Sequence, residues 1–171
     1  RLLAIAVPMV VSQATDTVNM FVDRLFLSRV GEAHLSAAMS GGLTQFMVCS
    51  LFIGTVGYSS ALVAQLYGAG RYERCAEAAV QGMILSLVSY PVILAVSPLA
   101  RYLFIATGQS RLQVELGYTY FRILVYGSVF LVMRFAVSGF FLGIGRTKVV
   151  MIANVAGMLT NIPANYVLIF G

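Results

Sequence analysis

The stretch LSAAMSGGLTQFMVCSLFIGTVGYSSALVAQLYGAG, residues 35–70, contains no charged side chain. Charged side chains are also absent from residues 78–100 and 149–171. An α-helix needs about 20 predominantly apolar residues to cross the hydrocarbon core of a bilayer. Each of the three stretches reaches that length, so each is predicted to be a membrane-spanning helix, the first of them long enough to tilt or protrude.

Two further apolar stretches carry charges inside them, at residues 2–28 and 114–143. Glycine-containing or charged connections separate all five stretches, and every connection is short, so neighbouring helices should run antiparallel. We therefore predict an all-α, multi-pass membrane protein over residues 1–171. Its five transmembrane helices are expected near 2–28, 34–67, 76–104, 113–143 and 148–171.

The composition agrees with a chain surrounded by lipid. Hydrophobic residues make up 60% of the sequence and charged residues 10%, whereas a soluble domain usually carries about 25% charged residues. The net charge of +5 is modest and lies mostly between the apolar stretches. This composition predicts contact with membrane lipid. Because no basic face is interleaved with aromatic residues, we predict no nucleic-acid partner.

Signals for an enzyme are nearly absent. No GxSxG or HExxH motif occurs, and GIGRTK at 143–148 lacks the order of a P-loop. Cys49 and Cys75 form neither a disulfide framework nor a cluster of metal ligands. The sequence therefore predicts a protein that is not an enzyme, with no cofactor and no structural metal.

Polar residues inside the first predicted helix are candidates for function. Asp16, Asn19 and Asp23 are spaced by three and four residues, which places them on one helical face. Charged groups within a membrane are costly and normally face a bundle interior or a water-filled cavity. A carboxylate in such a cavity can bind a proton or a cation. The alternative for Asp23 is an interfacial ion pair with its neighbour Arg24.

Three asparagines in the fifth predicted helix also share a face: Asn154, Asn161 and Asn165. Pro163 lies between the last two, and a proline frees a backbone carbonyl. Carbonyl, amide and carboxylate oxygens are the ligands that hard cations prefer, so we consider a sodium ion near Asp23. The alternative is that the asparagines hydrogen-bond to neighbouring helices and only hold the bundle together.

Two features of the fourth predicted helix have a structural interpretation that requires no function. Arg134 can pair with Asp16 or Asp23, or it can extend its guanidinium to the inner interface; we expect the second arrangement. Gly139 and Gly143 have GxxxG spacing, which favours close packing of helix backbones.

Four segments together resemble the multidrug and toxic compound extrusion (MATE) family, and within it the bacterial NorM-like branch. They occur in the order and at the spacing of the family and cover the whole chain. The segments are FVDRLFLSRVG at 21–31, ALVAQLYGAGR at 61–71, GIGRTKVVM at 143–151 and NIPANYVLIFG at 161–171.

The resemblance implies twelve helices in two six-helix lobes, of which this chain would supply the first five helices of the amino-terminal lobe. A second lobe would then be a partner, and the lobes would rock around a central site. The implied function is secondary active export of small organic compounds, often cationic, by antiport with Na⁺ or H⁺. The implied location is the plasma membrane, the inner membrane of a bacterium.

By resemblance, Asp23 matches the carboxylate that couples transport to the ion, and Asn161 and Asn165 match the family's paired positions in the fifth helix. Asp16 departs from the family, which often has Gln there. With Asn19 and Asn154 it is expected to line the substrate cavity.

Two other functions remain as alternatives. A lipid-linked oligosaccharide flippase of the same wider superfamily would need more basic residues around its cavity to bind a pyrophosphate. A membrane-embedded enzyme would need a nucleophile–base pair or a metal site, and His34 is the only histidine.

Overall fold

The structure is a computed structural model that describes residues 2–170. Its elements are α1 (Leu2–Val30), α2 (Glu32–Gly68), α3 (Tyr72–Val96), a 3₁₀ turn (Ser97–Leu99), α4 (Ala100–Ala106), α5 (Arg111–Tyr126), α6 (Ser128–Gly143) and α7 (Thr147–Phe170).

These elements form five consecutive rods, because α3 continues through the 3₁₀ turn into α4, and α5 leads directly into α6. The rods correspond to the five predicted helices, and residues 2–170 contain no β-strand. The prediction of an all-α membrane protein is confirmed. Arg1, and Gly171 at the end of the predicted helix 148–171, lie outside the described residues.

Length and composition qualify three of the rods as membrane spans: Glu32–Gly68, Tyr72–Ala106 and Thr147–Phe170. The rod made of α5 and α6 is a fourth if its bent halves are counted together. Helix α1 is not among them, although its 29 residues correspond to about 43 Å of helix. It carries the two aspartates that the sequence singled out.

A bend of 49° separates α5 from α6 at Gly127, where the sequence predicted one helix over 113–143. The backbone N–H of Gly127 donates to Ile123 at 3.4 Å, a long bond for a helix. The Tyr90 hydroxyl, on α3, donates to the Tyr126 carbonyl at 3.3 Å. A glycine, which weakens a helix, and a carbonyl held from outside together account for the break.

Two of the connections use the same glycine turn. Gly70 and Gly145 have φ values of 74° and 75°, which residues with a Cβ rarely adopt. The N–H of the residue after each glycine reaches back to close the preceding helix: Arg71 bonds Leu66 at 2.9 Å and Arg146 bonds Phe141 at 2.8 Å. These are Schellman caps, which reverse the chain in few residues.

The buried core lies where α2, α3, α5 and α6 meet, and its largest fully buried side chains include Phe121, Ile93, Val56 and Val132. Many large apolar side chains point outward instead; Leu168 is 83% exposed. An apolar exterior of this kind suits a lipid environment, which supports the membrane assignment.

Small residues set the spacing between α2 and α6. A Cβ added to Gly143 would lie 2.7 Å from the Val63 side chain and 2.8 Å from the Ser60 carbonyl. Gly139, one turn earlier, lies against the same Ser60. The GxxxG spacing therefore packs α6 onto α2 within the chain.

Helices α1 and α7 form a pair that is only loosely joined to the rest. Each packs chiefly against the other, with smaller contacts from α1 to α2 and from α7 to α6. A groove therefore remains between this pair and α6, and the predicted site residues lie in and beside it.

Candidate functional site

The α1–α7 pair brings Asp23, Asn161 and Asn165 together. The Asn165 side-chain N–H₂ donates to a carboxylate oxygen of Asp23 and, at 2.8 Å, to the Asn161 amide oxygen. Asn161 and Asn165 are neighbours because residues four apart lie one above the other on a helix. The result is one partly buried cluster of a carboxylate and two amides, with Asn165 at its centre.

An aromatic cluster closes the α1–α7 pair one turn beyond these polar residues. Phe26 of α1 lies edge-on to Tyr166 and Phe170 of α7, with ring centroids 6.1 and 5.7 Å apart. Edge-to-face contacts of this kind are favourable beyond the area they bury. They hold the register in which Asp23 faces Asn165.

A cavity of about 510 Å³ lies between the α1–α7 pair and α6, and we refer to it as the Asp16 cavity. It contains four of the six predicted site residues. Its polar lining residues are Thr15, Asp16, Asn19, Arg134, Ser138, Asn154 and Asn161.

Two of the amides in this lining differ in their hydrogen bonding. Asn154 donates to the Ser12 hydroxyl of α1, so it also ties α7 to α1, as the packing interpretation of the asparagines requires. Asn19 has a buried amide oxygen for which residues 2–170 supply no hydrogen-bond donor. The Asn154 side chain is therefore already hydrogen-bonded to α1, whereas the Asn19 amide oxygen can still accept a hydrogen bond.

Arg134 does not extend to the membrane interface, so the expectation for this residue is wrong. Its guanidinium crosses the Asp16 cavity from α6 and donates to both carboxylate oxygens of Asp16, at 3.0 and 2.9 Å. The physical reason is the open groove, which leaves α6 facing α1 across a space that one arginine side chain can bridge. Among residues 2–170 this is the one ion pair.

Asp23 also borders a second cavity, of about 400 Å³, between α1, α2, α5 and α6. We refer to it as the Asp23 cavity; Arg24, Gln45 and Tyr120 supply its other polar side chains, amid apolar ones such as Met39 and Phe46. Asp23 is hydrogen-bonded to Asn165, and the interfacial ion pair with Arg24 is not formed. The polar cluster thus lies between the two cavities, with Asp23 on one side and Asn161 on the other.

The sequence did not indicate Gln45 and Tyr120. Gln45 is a polar side chain in an apolar stretch of its helix, the signal that singled out the asparagines of α7, whereas α5 carries several other polar residues. Gln45 lies in the charge-free stretch 35–70, and Tyr120 is one of several tyrosines on α5. Neither spacing nor composition indicates that they line the same cavity as Asp23.

Known proteins are similar to this chain in sequence and in fold. A family model described as MatE matches residues 8–167. A probable multidrug resistance protein NorM from Synechococcus is 30% identical over the whole chain, and so is the multidrug resistance protein MdtK of Klebsiella pneumoniae. The chain spans 37% and 38% of the lengths of these two proteins.

A solved structure of a MOP superfamily transporter from Pyrococcus furiosus has the same fold, with a TM-score of 0.81. It matches 98% of this chain and 37% of its own length, at 24% identity. For that protein a reversed polarity of the binding pocket was taken to suggest a different function. At this level of identity the likeness shows the fold alone.

Proposed function

Because the chain belongs to the MatE family, we propose that it forms part of a secondary active transporter that exports organic, often cationic, compounds in exchange for Na⁺ or H⁺. The relatives that match its whole length are named multidrug resistance proteins. The observation that carries the proposal is the cluster in which Asn165 joins Asp23 to Asn161. The protein would lie in a bacterial plasma membrane, with a second lobe completing the site.

The chemistry of the cluster supports an ion-coupling role for Asp23. A carboxylate with amide oxygens beside it offers the oxygen ligands that suit Na⁺, and the same carboxylate can accept a proton. Either ion would weaken the hydrogen bond from the Asn165 N–H₂, because it withdraws negative charge from the carboxylate that accepts this bond. Loading the ion would therefore change the contact between α1 and α7.

Coupling follows if the ion and the substrate favour opposite orientations of the two lobes. Alternating access rocks one repeat against the other around a fixed site. A ligand can shift such an equilibrium only by its difference in affinity between the two states. Asp23 supplies such a difference if the hydrogen bond from Asn165 is made in one orientation and replaced by the ion in the other.

The charge of the Asp16 cavity favours this function over a lipid-linked oligosaccharide flippase. The cavity lining has one carboxylate and one guanidinium, and they pair with each other. A pyrophosphate would require an excess of basic groups. Organic compounds of low charge fit the cavity better.

The test replaces Asp23 by Asn in the full-length protein encoded by the gene for this chain. Gradient-driven efflux of a fluorescent organic cation from proteoliposomes would be measured with a Na⁺ gradient and, separately, with a pH gradient. We expect the variant to lose efflux under whichever gradient drives the unaltered protein. Glu77→Gln, which removes an exposed carboxylate on α3, is the matched control and should transport normally. Undiminished gradient-driven efflux by a correctly folded Asp23→Asn protein would refute the proposal.

A further inference from the structure

The ion pair between Asp16 and Arg134 joins two helices that scarcely touch otherwise. Helix α1 packs chiefly on α7, and α6 packs chiefly on α2 and α3. The guanidinium reaches across the groove from α6, and one of its nitrogens bonds both carboxylate oxygens, at 3.0 and 2.9 Å. The contact is therefore a bridge of side chains between two separated walls.

Both partners are accessible from the cavity. The Arg134 side chain is 50% exposed and the Asp16 side chain 42% exposed. Exposed ion pairs are weak because water screens the attraction and two flexible side chains must be held in one geometry. A ligand in the cavity can therefore exchange with either partner.

The pair also separates two spaces. Asp16 and Arg134 line the Asp16 cavity, and both line a further cavity of about 220 Å³, bordered by Ser12, Gly57 and Leu142. We refer to this further space as the side cavity. An organic molecule in either space would lie beside the ion pair.

We propose that Arg134 is a tethered competitor that occupies Asp16 until an organic cation displaces it. This inference rests on the proposed function, because it assumes that the substrate binds in the Asp16 cavity. The carboxylate of Asp16 is the attractive group for a cation, and the guanidinium of Arg134 already neutralises it. A monocation must displace Arg134 and leave it without its carboxylate, whereas a neutral compound binds without disturbing the pair. Arg134 is therefore a specificity-determining residue that lowers the affinity for monocations.

The test measures equilibrium binding, with no gradient, of tetraphenylphosphonium and of the neutral triphenylphosphine oxide, which is similar in size. The full-length protein is used, purified in detergent. Arg134→Gln should bind tetraphenylphosphonium about two- to fivefold more tightly, the range expected for removal of an exposed ion pair. The affinity for triphenylphosphine oxide should not change. Arg122→Gln is the matched control, because Arg122 lies on α5, bonds the Tyr126 hydroxyl and is not part of the Asp16 cavity.

A double-mutant cycle identifies Asp16 as the group that Arg134 masks. Adding Asp16→Asn to Arg134→Gln should abolish the gain in cation affinity, because no carboxylate remains to be unmasked. Equal gains for the cation and the neutral compound would overturn the proposal and indicate that only space was created. It would also be overturned by a gain that persists without Asp16, or by no gain in a folded Arg134→Gln protein.

Two further measures keep the result decisive. If Arg134→Gln does not fold, Arg134→Lys replaces it; a lysine offers a single, more flexible ammonium, so it should tighten cation binding by a smaller factor of the same sign. An unchanged or lower affinity in Arg134→Lys would then overturn the proposal. Because these measurements use no gradient and hold pH and Na⁺ constant across the variants, Asp23 meets the same ion conditions in each, and a failure of ion coupling is recognised separately in the efflux assay.

Discussion

Asn165 donates a hydrogen bond to Asp23 across the interface between α1 and α7. Among the described elements, these two helices are the one pair that lies apart from the buried core. The same side chain donates to Asn161 at 2.8 Å. Removing the Asn165 side chain would leave the Asp23 carboxylate and the Asn161 amide oxygen without this donor. Among residues 2–170, Asn165 is the one side chain that donates a hydrogen bond to the Asp23 carboxylate.

We expect Asn165→Ala to impair ion-coupled efflux at least about tenfold, because a hydrogen bond to a charged group contributes about 1.5–3 kcal/mol. Initial rates of cation efflux under an imposed gradient are the measurement. Thr160→Ala is the control on the same helix, since the Thr160 hydroxyl bonds only carbonyls of its own helix, those of Ala156 and Gly157. Equal rates in the two variants would show that Asn165 does not support the carboxylate.

Gly143→Ala should destabilise the bundle by about 1–3 kcal/mol, the usual cost of overpacking. The new Cβ would lie 2.8 Å from the Ser60 carbonyl, a backbone atom that cannot turn away as a side chain can. Thermal unfolding in detergent measures the effect. Gly54→Ala is the control: it meets nothing within 4 Å and should stabilise its helix by about 0.5–1 kcal/mol. A Gly143→Ala protein as stable as the unaltered one would contradict the close packing of α6 on α2.

Ser110→Ala should cost about 1 kcal/mol of stability through the loss of a helix cap. The backbone N–H of Gln113 donates to the Ser110 hydroxyl at 3.3 Å, and the Gln113 side chain accepts from the Ser110 N–H at 3.4 Å. This reciprocal pair, a capping box, starts α5. Chemical unfolding would be compared with Ser50→Ala, whose exposed hydroxyl bonds only the Met47 carbonyl of its own helix. A smaller loss for Ser110→Ala than for Ser50→Ala would contradict the cap.

Cys49 and Cys75 should react slowly with a maleimide in the folded protein and rapidly after unfolding. Cys49 is 0% exposed and Cys75 is 2% exposed, and both thiols are free. A cysteine introduced at the exposed position Arg111 is the control and should be labelled in the folded state. Rapid labelling of Cys49 or Cys75 without denaturant would show that the helices around them open readily.

The helices were predictable from the sequence because intervals without charge have a direct physical meaning in a bilayer. The glycine turns at Gly70 and Gly145 follow from local chemistry as well. The division of the fourth predicted helix at Gly127 does not, since it also depends on the hydroxyl of Tyr90, which is distant in sequence. Local patterns predict rods and turns, and tertiary contacts decide where a rod bends.

The candidate site, too, was predictable from the sequence only in part. The spacing of Asn161 and Asn165 predicts a shared face, but the approach of Asp23 was expected from the family resemblance. For Arg134 the sequence left pairing and extension to the interface open, and the wrong one was preferred because the distance between α1 and α6 cannot be read from one chain's periodicity. Tyr120 was missed for the same reason, as it lines the same cavity as Asp23 only through the packing of α5.

The bend at Gly127 lets one rod contribute polar side chains to both cavities. Tyr120, on α5, belongs to the wall of the Asp23 cavity, whereas Arg134, on α6, belongs to the wall of the Asp16 cavity. With a 49° bend between them, one continuous stretch of chain gives each cavity a polar side chain beside a different aspartate.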